Sequence, residues 1–328
     1  MRPLRLAALD LGTVTTRLLV ADVSLAGIHE LTRRTTITHL GEGLLQSGRI
    51  SEAALQRELA ACKDFLAAIT ELASEQAVEK TVAFATSAMR DATNSAQVQE
   101  ALRAEGIEVE VISGAREAQL SFLGTLSGFA NDGQLFGTDV LTVDIGGGST
   151  EVILGTVVQA GGRWEPQIAC ARSFDIGSRR VSDLFLHSNP PSAAELEQAG
   201  RWIREQMRPY FCAFSRSPQV MLAVAGTATT AVAVQEGMAE YDSERVHGYR
   251  LDAATLAAVT SKLAQLSLEE RREVTGLEPS RASVIVGGLL TLQAVLELSG
   301  LPAFTVSETD ILQGALLDAY AREEQREQ

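Results

Sequence analysis

Histidine, cysteine and positive charge are all in short supply in this chain of 328 residues, and each shortage closes off a class of function. Its four histidines are scattered and do not make a zinc site, which needs ligands at defined spacing. Cys62, Cys170 and Cys212 are odd in number and far apart, so they form neither a disulfide framework nor a metal-ligand pair, and a reducing compartment is expected. Only 28 Lys and Arg stand against 42 Asp and Glu, a net charge of -14. Nucleic-acid and acidic-membrane binding rest on clustered basic residues, so neither partner is expected. Low-complexity tracts are missing too, and 45% hydrophobic with 21% charged residues is the composition of a globular protein. The opening apolar run is broken by Asp10 and Arg17, too early for a signal peptide or a membrane span, which makes the cytoplasm the expected location. An anionic ligand would need a metal and a local positive site.

The length suggests two domains, and the same alternation of elements occurs twice. Residues 4–40 read as three strands, followed by a helical pattern over 51–75, a strand at 81–85, a helix at 96–104, a strand at 107–112 and a helix from Ala115. A second series opens with a strand at 140–144, continues through 151–158 and 167–174, and then turns helical. Ser192 with Glu195 and Ser267 with Glu270 have the spacing of capping boxes at helix starts. The stretch 126–139, with Gly128, Asn131, Asp132, Gly133 and Gly137, reads as the loop between domains. A strand near 304–306 and a helix from Asp310 are expected to return to the first domain. The expected division is 1–126 with 304–328, and 127–303.

Chemistry first shows at Asp144-Ile-Gly-Gly-Gly-Ser-Thr-Glu151, where an apolar strand ends in an acid, three glycines and two hydroxyls. Glycines let backbone N–H groups approach phosphate oxygens, and the acid can hold a metal or its water. The residues that follow, 152–158, read as another strand. The loop is then a hairpin tip, which disfavours a dinucleotide fingerprint or a Walker loop, since both run from strand into helix. Asp10-Leu-Gly-Thr-Val-Thr-Thr-Arg17 repeats the grammar. Alone it suits a plain turn as well as a site, but two such hairpins imply a pair of phosphate loops, as in the sugar kinase, heat-shock protein 70 and actin superfamily. A third element, Ala223-Val-Ala-Gly-Thr-Ala-Thr-Thr230, is a strand leading into a helix start that suits either close packing or an anion.

With these loops come Ala85-Thr-Ser-Ala-Met-Arg-Asp-Ala92, Ile112-Ser-Gly-Ala-Arg-Glu-Ala118, Val246-His-Gly248 and Arg281-Ala282. In this order the set resembles the exopolyphosphatase and guanosine pentaphosphate phosphohydrolase family, in its short two-domain form. The resemblance implies an α/β fold of two actin-like, ribonuclease H-like domains with an active-site cleft between them, Mg²⁺ as cofactor and a homodimer. The substrate it implies is inorganic polyphosphate, or guanosine pentaphosphate that becomes the tetraphosphate. Glu117 is implied as the residue that orients or deprotonates the attacking water, with Arg90 as the cation on the transferring phosphate. Asp10, Asp144 and Glu151 are implied as metal holders. Thr13, Thr15, Gly146, Gly147, Gly148 and Ser149 would contact phosphate, and Arg17 and Arg281 a longer chain.

Three positions depart from the family pattern: Val14 replaces a frequent Asn, Arg116 precedes Glu117 in place of an acid, and Leu312 with Gln313 stand where Arg and Glu are frequent. Two other readings use the same loops, a guanosine tetraphosphate or phosphate sensor with little turnover and an ATP-dependent small-molecule kinase. Arg33-Arg34, Arg179-Arg180 and Arg271-Arg272 read as solvated pairs, and His247 as a turn residue rather than a metal ligand.

Overall fold

All eight residues of Leu4–Leu11 (β1) are buried, as befits a central strand covered on both faces. β1 pairs antiparallel with Thr15–Ser24 (β2), which pairs antiparallel with Gly27–Ile37 (β3). On its other side β1 runs parallel to Lys80–Ala85 (β4), which is followed by Val109–Val111 (β5). The sheet order is β3-β2-β1-β4-β5. Alternation along β1 and β2 divides their side chains between two faces. Ala7, Leu9, Leu18 and Val20 join a core with Phe65 of the helix Glu52–Ala73 and Leu102 of the helix Ser95–Ala104. Leu6, Ala8, Leu19 and Ala21 join another with Leu120 of the helix Gly114–Ser127 and Leu316 of the helix Ile311–Glu327. Those last two helices meet glycine against backbone. A Cβ on Gly124 would sit 1.6 Å from the Asp310 carbonyl oxygen, and one on Gly314 1.9 Å from that of Leu120.

The computed structural model describes residues 2–74, 76–129, 135–160 and 163–327, and places them in two compact units, Met1–Ser127 with Thr309–Gln328 and Gly128–Glu308. Of the expected interdomain loop, Asn131, Asp132 and Gly133 lie outside the described residues. The second unit restarts the pattern of the first. Asp139–Ile145 (β6), Thr150–Ala160 (β7) and Arg163–Phe174 (β8) form an antiparallel meander, and β6 runs parallel to Val220–Val224 (β9). Arg250–Asp252 (β10) and Ala303–Val306 (β11) complete the order β10-β11-β9-β6-β7-β8. Two units, each a three-stranded meander followed by parallel crossover strands, with an antiparallel edge strand β10 added in the second, make the expected actin-like α/β fold.

The strand near 304–306 belongs to the second sheet rather than the first, because Thr305 and Val306 pair in parallel with Leu222 and Ala223 while Phe304 and Val306 fill the second unit's core. Only the helix Ile311–Glu327 returns to the first unit. The edge strand β10 has three residues, too few for periodicity to reveal. Both expected capping boxes form, at Ser192 with Glu195 and at Ser267 with Glu270. No helix among the described residues is long and apolar enough to cross a membrane, and the three cysteines are unpaired.

A carboxyl group is buried beneath the start of β2. Glu58, on the helix Glu52–Ala73, is fully inaccessible, and Thr16 Oγ1 lies 2.8 Å from both of its oxygens and 3.1 Å from Thr38 Oγ1. Burial pushes this carboxyl up from 4.5 to about 7, against the hydrogen bonds from Thr16 and Thr38 and with repulsion from Asp10. A carboxyl that holds its proton more tightly when folded contributes stability that is complete below its unfolded pKa and is lost as pH rises through the folded value. Between pH 4.5 and about 7 the stability of Glu58→Gln should therefore rise relative to the natural protein by about 3 kcal/mol, and the difference should stay constant above that range. Urea unfolding across pH 4.5 to 8 measures this; parallel pH dependences would show that Glu58 ionises at its ordinary value.

Candidate active site

In the first unit the chain leaves β1 and reverses through Gly12-Thr13-Val14-Thr15, closed by a hydrogen bond from the Gly12 N–H to the Thr15 carbonyl (3.0 Å). A Cβ at Gly12 would lie 2.7 Å from that oxygen, so the turn requires glycine. The chain leaving β3 then folds back over the turn. Gly41 N–H donates to the Thr13 carbonyl (2.8 Å), and the N–H groups of Thr38 and His39 donate to that of Val14 (3.0 and 2.9 Å). A trans peptide points its C=O and N–H in opposite directions. Fixing these two carbonyls toward residues 38–41 therefore sends the N–H groups of Val14 and Thr15 the other way, and successive N–H groups turned to one side make an anion nest.

The second unit builds its hairpin the same way. Gly146 N–H closes the turn on the Ser149 carbonyl (3.0 Å), and the chain leaving β8 folds back into the helix Ser178–Phe185. Ser178 N–H donates to the Gly146 carbonyl (2.9 Å), Arg179 N–H to that of Gly147 (2.9 Å), and Arg180 Nε–H to that of Gly148 (3.0 Å). Three consecutive carbonyls face this helix, so the N–H groups of Gly147, Gly148 and Ser149 face away from it. Close approach is possible because residue 177 is glycine; a Cβ there would stand 2.4 Å from the Gly147 oxygen.

Charge distinguishes the two hairpins. Asp10 lies across the ladder from Arg17, and Asp144 in the corresponding place lies across from Glu151. Arg17 Nε donates to Asp10 Oδ2 (3.1 Å), and its Nη1 pairs with Asp310 at the head of the last helix. Burial raises the Asp10 carboxyl above its ordinary range, against the pull of Arg17 and with repulsion from Asp310. Asp10 Oδ1 and Thr13 Oγ1 are both buried with no hydrogen-bond partner. In the second unit, Asp144 and Glu151 are buried at 7% and 1% exposure, directly opposite one another, with Ser173 Oγ donating to Glu151 (2.6 Å). Carboxylates so placed repel unless a cation or a proton lies with them. The unpartnered carboxylate oxygen of Asp10 in the first unit, and separately the buried carboxylates of Asp144 and Glu151 in the second, are oxygen donors of the kind a hard cation such as Mg²⁺ takes. Among the described residues no cluster of three or more His, Cys, Asp or Glu forms a ready metal cage.

Glu117 sits in the first turn of the helix Gly114–Ser127, 7% exposed, and its carboxylate accepts from Arg90 Nη1 (2.7 Å). The same nitrogen donates to the Ile112 carbonyl (3.1 Å), so Arg90, on the short helix Ser87–Asp91, is fixed at the end of β5 beside Glu117. Arg17, expected to reach toward a phosphate chain, carries its charge between Asp10 and Asp310. Arg281 packs on Gly226 at the start of the helix Ala225–Gln235, where a Cβ would meet its Nη1 at 1.7 Å. Ala225 turns that corner at φ 65°, which non-glycine residues rarely adopt. Within the first unit the structure brings Arg90 to Glu117, and Arg17 to Asp10. Within the second it brings Asp144, Glu151 and the glycine loop together.

Several readings change. Arg179 and Arg180 are half-buried rather than solvated, Arg179 pairing with Asp183 at 3.6 Å. Arg271 is buried, donating to the carbonyls of Leu263, Leu266 and Ala282. Gln313 caps the last helix through the Asp310 N–H (2.9 Å) and Leu312 is buried in the first unit's core, so both have roles in the fold. His247 keeps its reading as a turn residue: it follows the short helix Ser243–Val246, accepts the Glu308 N–H on Nδ1 (3.1 Å) and stacks on Phe129. Asp310 was expected only as a helix start, and its pairing with Arg17 had no signal in the sequence.

Outward N–H nests beside buried carboxylates, on a duplicated actin-like fold, define a phosphate-handling protein. Residues 19–323 match the model of the Ppx/GppA phosphatase family. The chain is 35% identical to exopolyphosphatase 2 of Mycobacterium tuberculosis, an alignment covering 95% of this chain and 98% of that one. Among solved structures it is similar to an exopolyphosphatase-like protein (TM-score 0.88, 32% identity, 97% of this chain and 98% of that one). It is also similar to an exopolyphosphatase from Cytophaga hutchinsonii (TM-score 0.83, 29% identity, 95% and 96%). The chain belongs to the Ppx/GppA phosphatase family and is a phosphohydrolase.

The backing segment generates a test. Gly177→Ala forces a Cβ against the Gly147 backbone, so the loop must shift, and kcat/KM should fall about a hundredfold or more, as for misplacements near 1 Å. Steady-state kinetics beside a thermal melt measures this, and unchanged kinetics in a folded variant would show that the loop's placement is immaterial.

Proposed function

We propose that this chain is a cytoplasmic, Mg²⁺-dependent exopolyphosphatase that releases the terminal phosphate of inorganic polyphosphate, and that the same chemistry converts guanosine pentaphosphate to the tetraphosphate. The observation that carries the proposal is the pair of hairpins whose carbonyls are tied down and whose N–H groups turn outward beside buried carboxylates. The relatives named exopolyphosphatase support the substrate class. Unpaired cysteines support a reducing compartment.

Phosphoryl transfer to water asks the protein for position and charge neutralisation more than covalent help. The N–H groups of Gly147, Gly148 and Ser149 would bind oxygens of the terminal phosphate, with Gly146 shaping the turn. The N–H groups of Val14 and Thr15 and the hydroxyl of Thr13 would bind further oxygens. Arg90 would balance charge on the equatorial oxygens. Glu117 would orient a water and take its proton as the water oxygen bonds to phosphorus and the bond to the rest of the chain breaks. Asp144, Glu151 and Asp10 would hold Mg²⁺, which when bound neutralises charge on the phosphate. Arg17 would serve by holding Asp10 in place. Arg281 and the start of the helix Ala225–Gln235 offer two sources of positive potential for a further phosphate group.

Two outcomes test the assignment. Glu117→Gln keeps the shape but cannot accept a proton, so kcat for phosphate release should drop ~10²- to 10⁴-fold while polyphosphate affinity is retained. A variant keeping most of its turnover would remove Glu117 from the mechanism. Asp144→Asn should raise the Mg²⁺ concentration for half-maximal activity by about tenfold or more; an unchanged metal titration would detach Asp144 from the ion.

A further inference from the structure

We propose that Arg180 is a positioning residue of the second hairpin, whose Nε–H fixes the Gly148–Ser149 peptide so that the Ser149 N–H faces the substrate phosphate. The inference rests on the reading of that loop as the phosphate cradle. Glycine reaches left- and right-handed backbone conformations with similar ease, so a run of three leaves the peptide planes between them free to flip. Each flip would replace an outward N–H by a carbonyl oxygen, which repels an anion. Two of the three planes are fixed by backbone donors, the N–H groups of Ser178 and Arg179. The third, whose carbonyl belongs to Gly148, is held by the Arg180 side chain at 3.0 Å.

The other hairpin shows why a side chain is needed here. The carbonyl that corresponds to Gly148 is that of Val14, and it receives two backbone N–H groups, from Thr38 and His39. Val14 is also β-branched, and its peptide has little access to the alternative conformation. In the second hairpin, glycine replaces valine and the carbonyl's donor is a guanidinium. Arg180 is well placed for this, because its own N–H donates to the Gly147 carbonyl (3.2 Å), which ties its backbone to the loop it braces.

Side-chain length separates this role from direct attraction between Arg180 and an anionic substrate. Glutamine carries its amide nitrogen the same number of bonds from Cα as the Nε of arginine, so Arg180→Gln keeps the donor and deletes the charge. Arg180→Lys keeps the charge and moves the donor, and Arg180→Met deletes both. The test uses the full chain in two measurements. In ligand-free NMR spectra the Gly148 and Ser149 amide signals should shift or double in the Met and Lys variants and match the natural protein in the Gln variant. In kinetics with tripolyphosphate, KM should rise about tenfold in the Met and Lys variants and stay near the natural value in the Gln variant, the loss expected for one hydrogen bond from a charged donor. Rescue by Lys with failure of Gln would show that Arg180 acts through charge and overturn the proposal, as would unchanged amide signals in the Met variant. A natural protein that releases no phosphate from tripolyphosphate would count against the functional reading, while the ligand-free amide signals would still decide what Arg180 holds.

Discussion

A planar peptide cannot turn its carbonyl and its N–H to the same side, and the proposed phosphate face of this protein depends on that constraint. In each unit the chain leaving the third strand folds back over the first hairpin and takes up its carbonyls, at Thr13 and Val14 in one and at Gly146, Gly147 and Gly148 in the other. The outward N–H groups follow without further design. The surrounding architecture serves this contact: a central buried strand delivers the turn, and glycines at 12 and 177 admit the backbone approaches that side chains would block.

The two hairpins repeat in shape and differ in charge. Across from the acid stands Arg17 in the first and Glu151 in the second. The first acid is therefore partly neutralised within its own unit, and its guanidinium also secures Asp310 at the head of the returning helix. The second faces another carboxylate across the ladder. A duplicated fold thus carries one hairpin whose acid is paired with a guanidinium and one whose acid faces a second carboxylate.

Much of this was legible in the sequence because it is local. The hairpin grammar, the strand order around it and both capping boxes depend on residues a few positions apart, where periodicity and spacing carry information. What escaped notice depends on where individual side chains and strands find their partners, which spacing alone does not announce. Nothing around Arg180 or Arg271 announces that carbonyls await their side chains, so both looked like ordinary surface pairs. The strand Ala303–Val306 carries an apolar pattern that either sheet would accept, and only its pairing with β9 assigns it. The family pattern marked Gln313 only as a departure, and its bond to the Asp310 N–H shows that it caps a helix.

The most direct measurement is a titration of the natural protein with tripolyphosphate and Mg²⁺ at low temperature, following backbone amide signals. The account predicts that the amides of Gly147, Gly148 and Ser149, and those of Val14 and Thr15, respond with one common affinity. Binding or turnover that leaves these amides unmoved would contradict it.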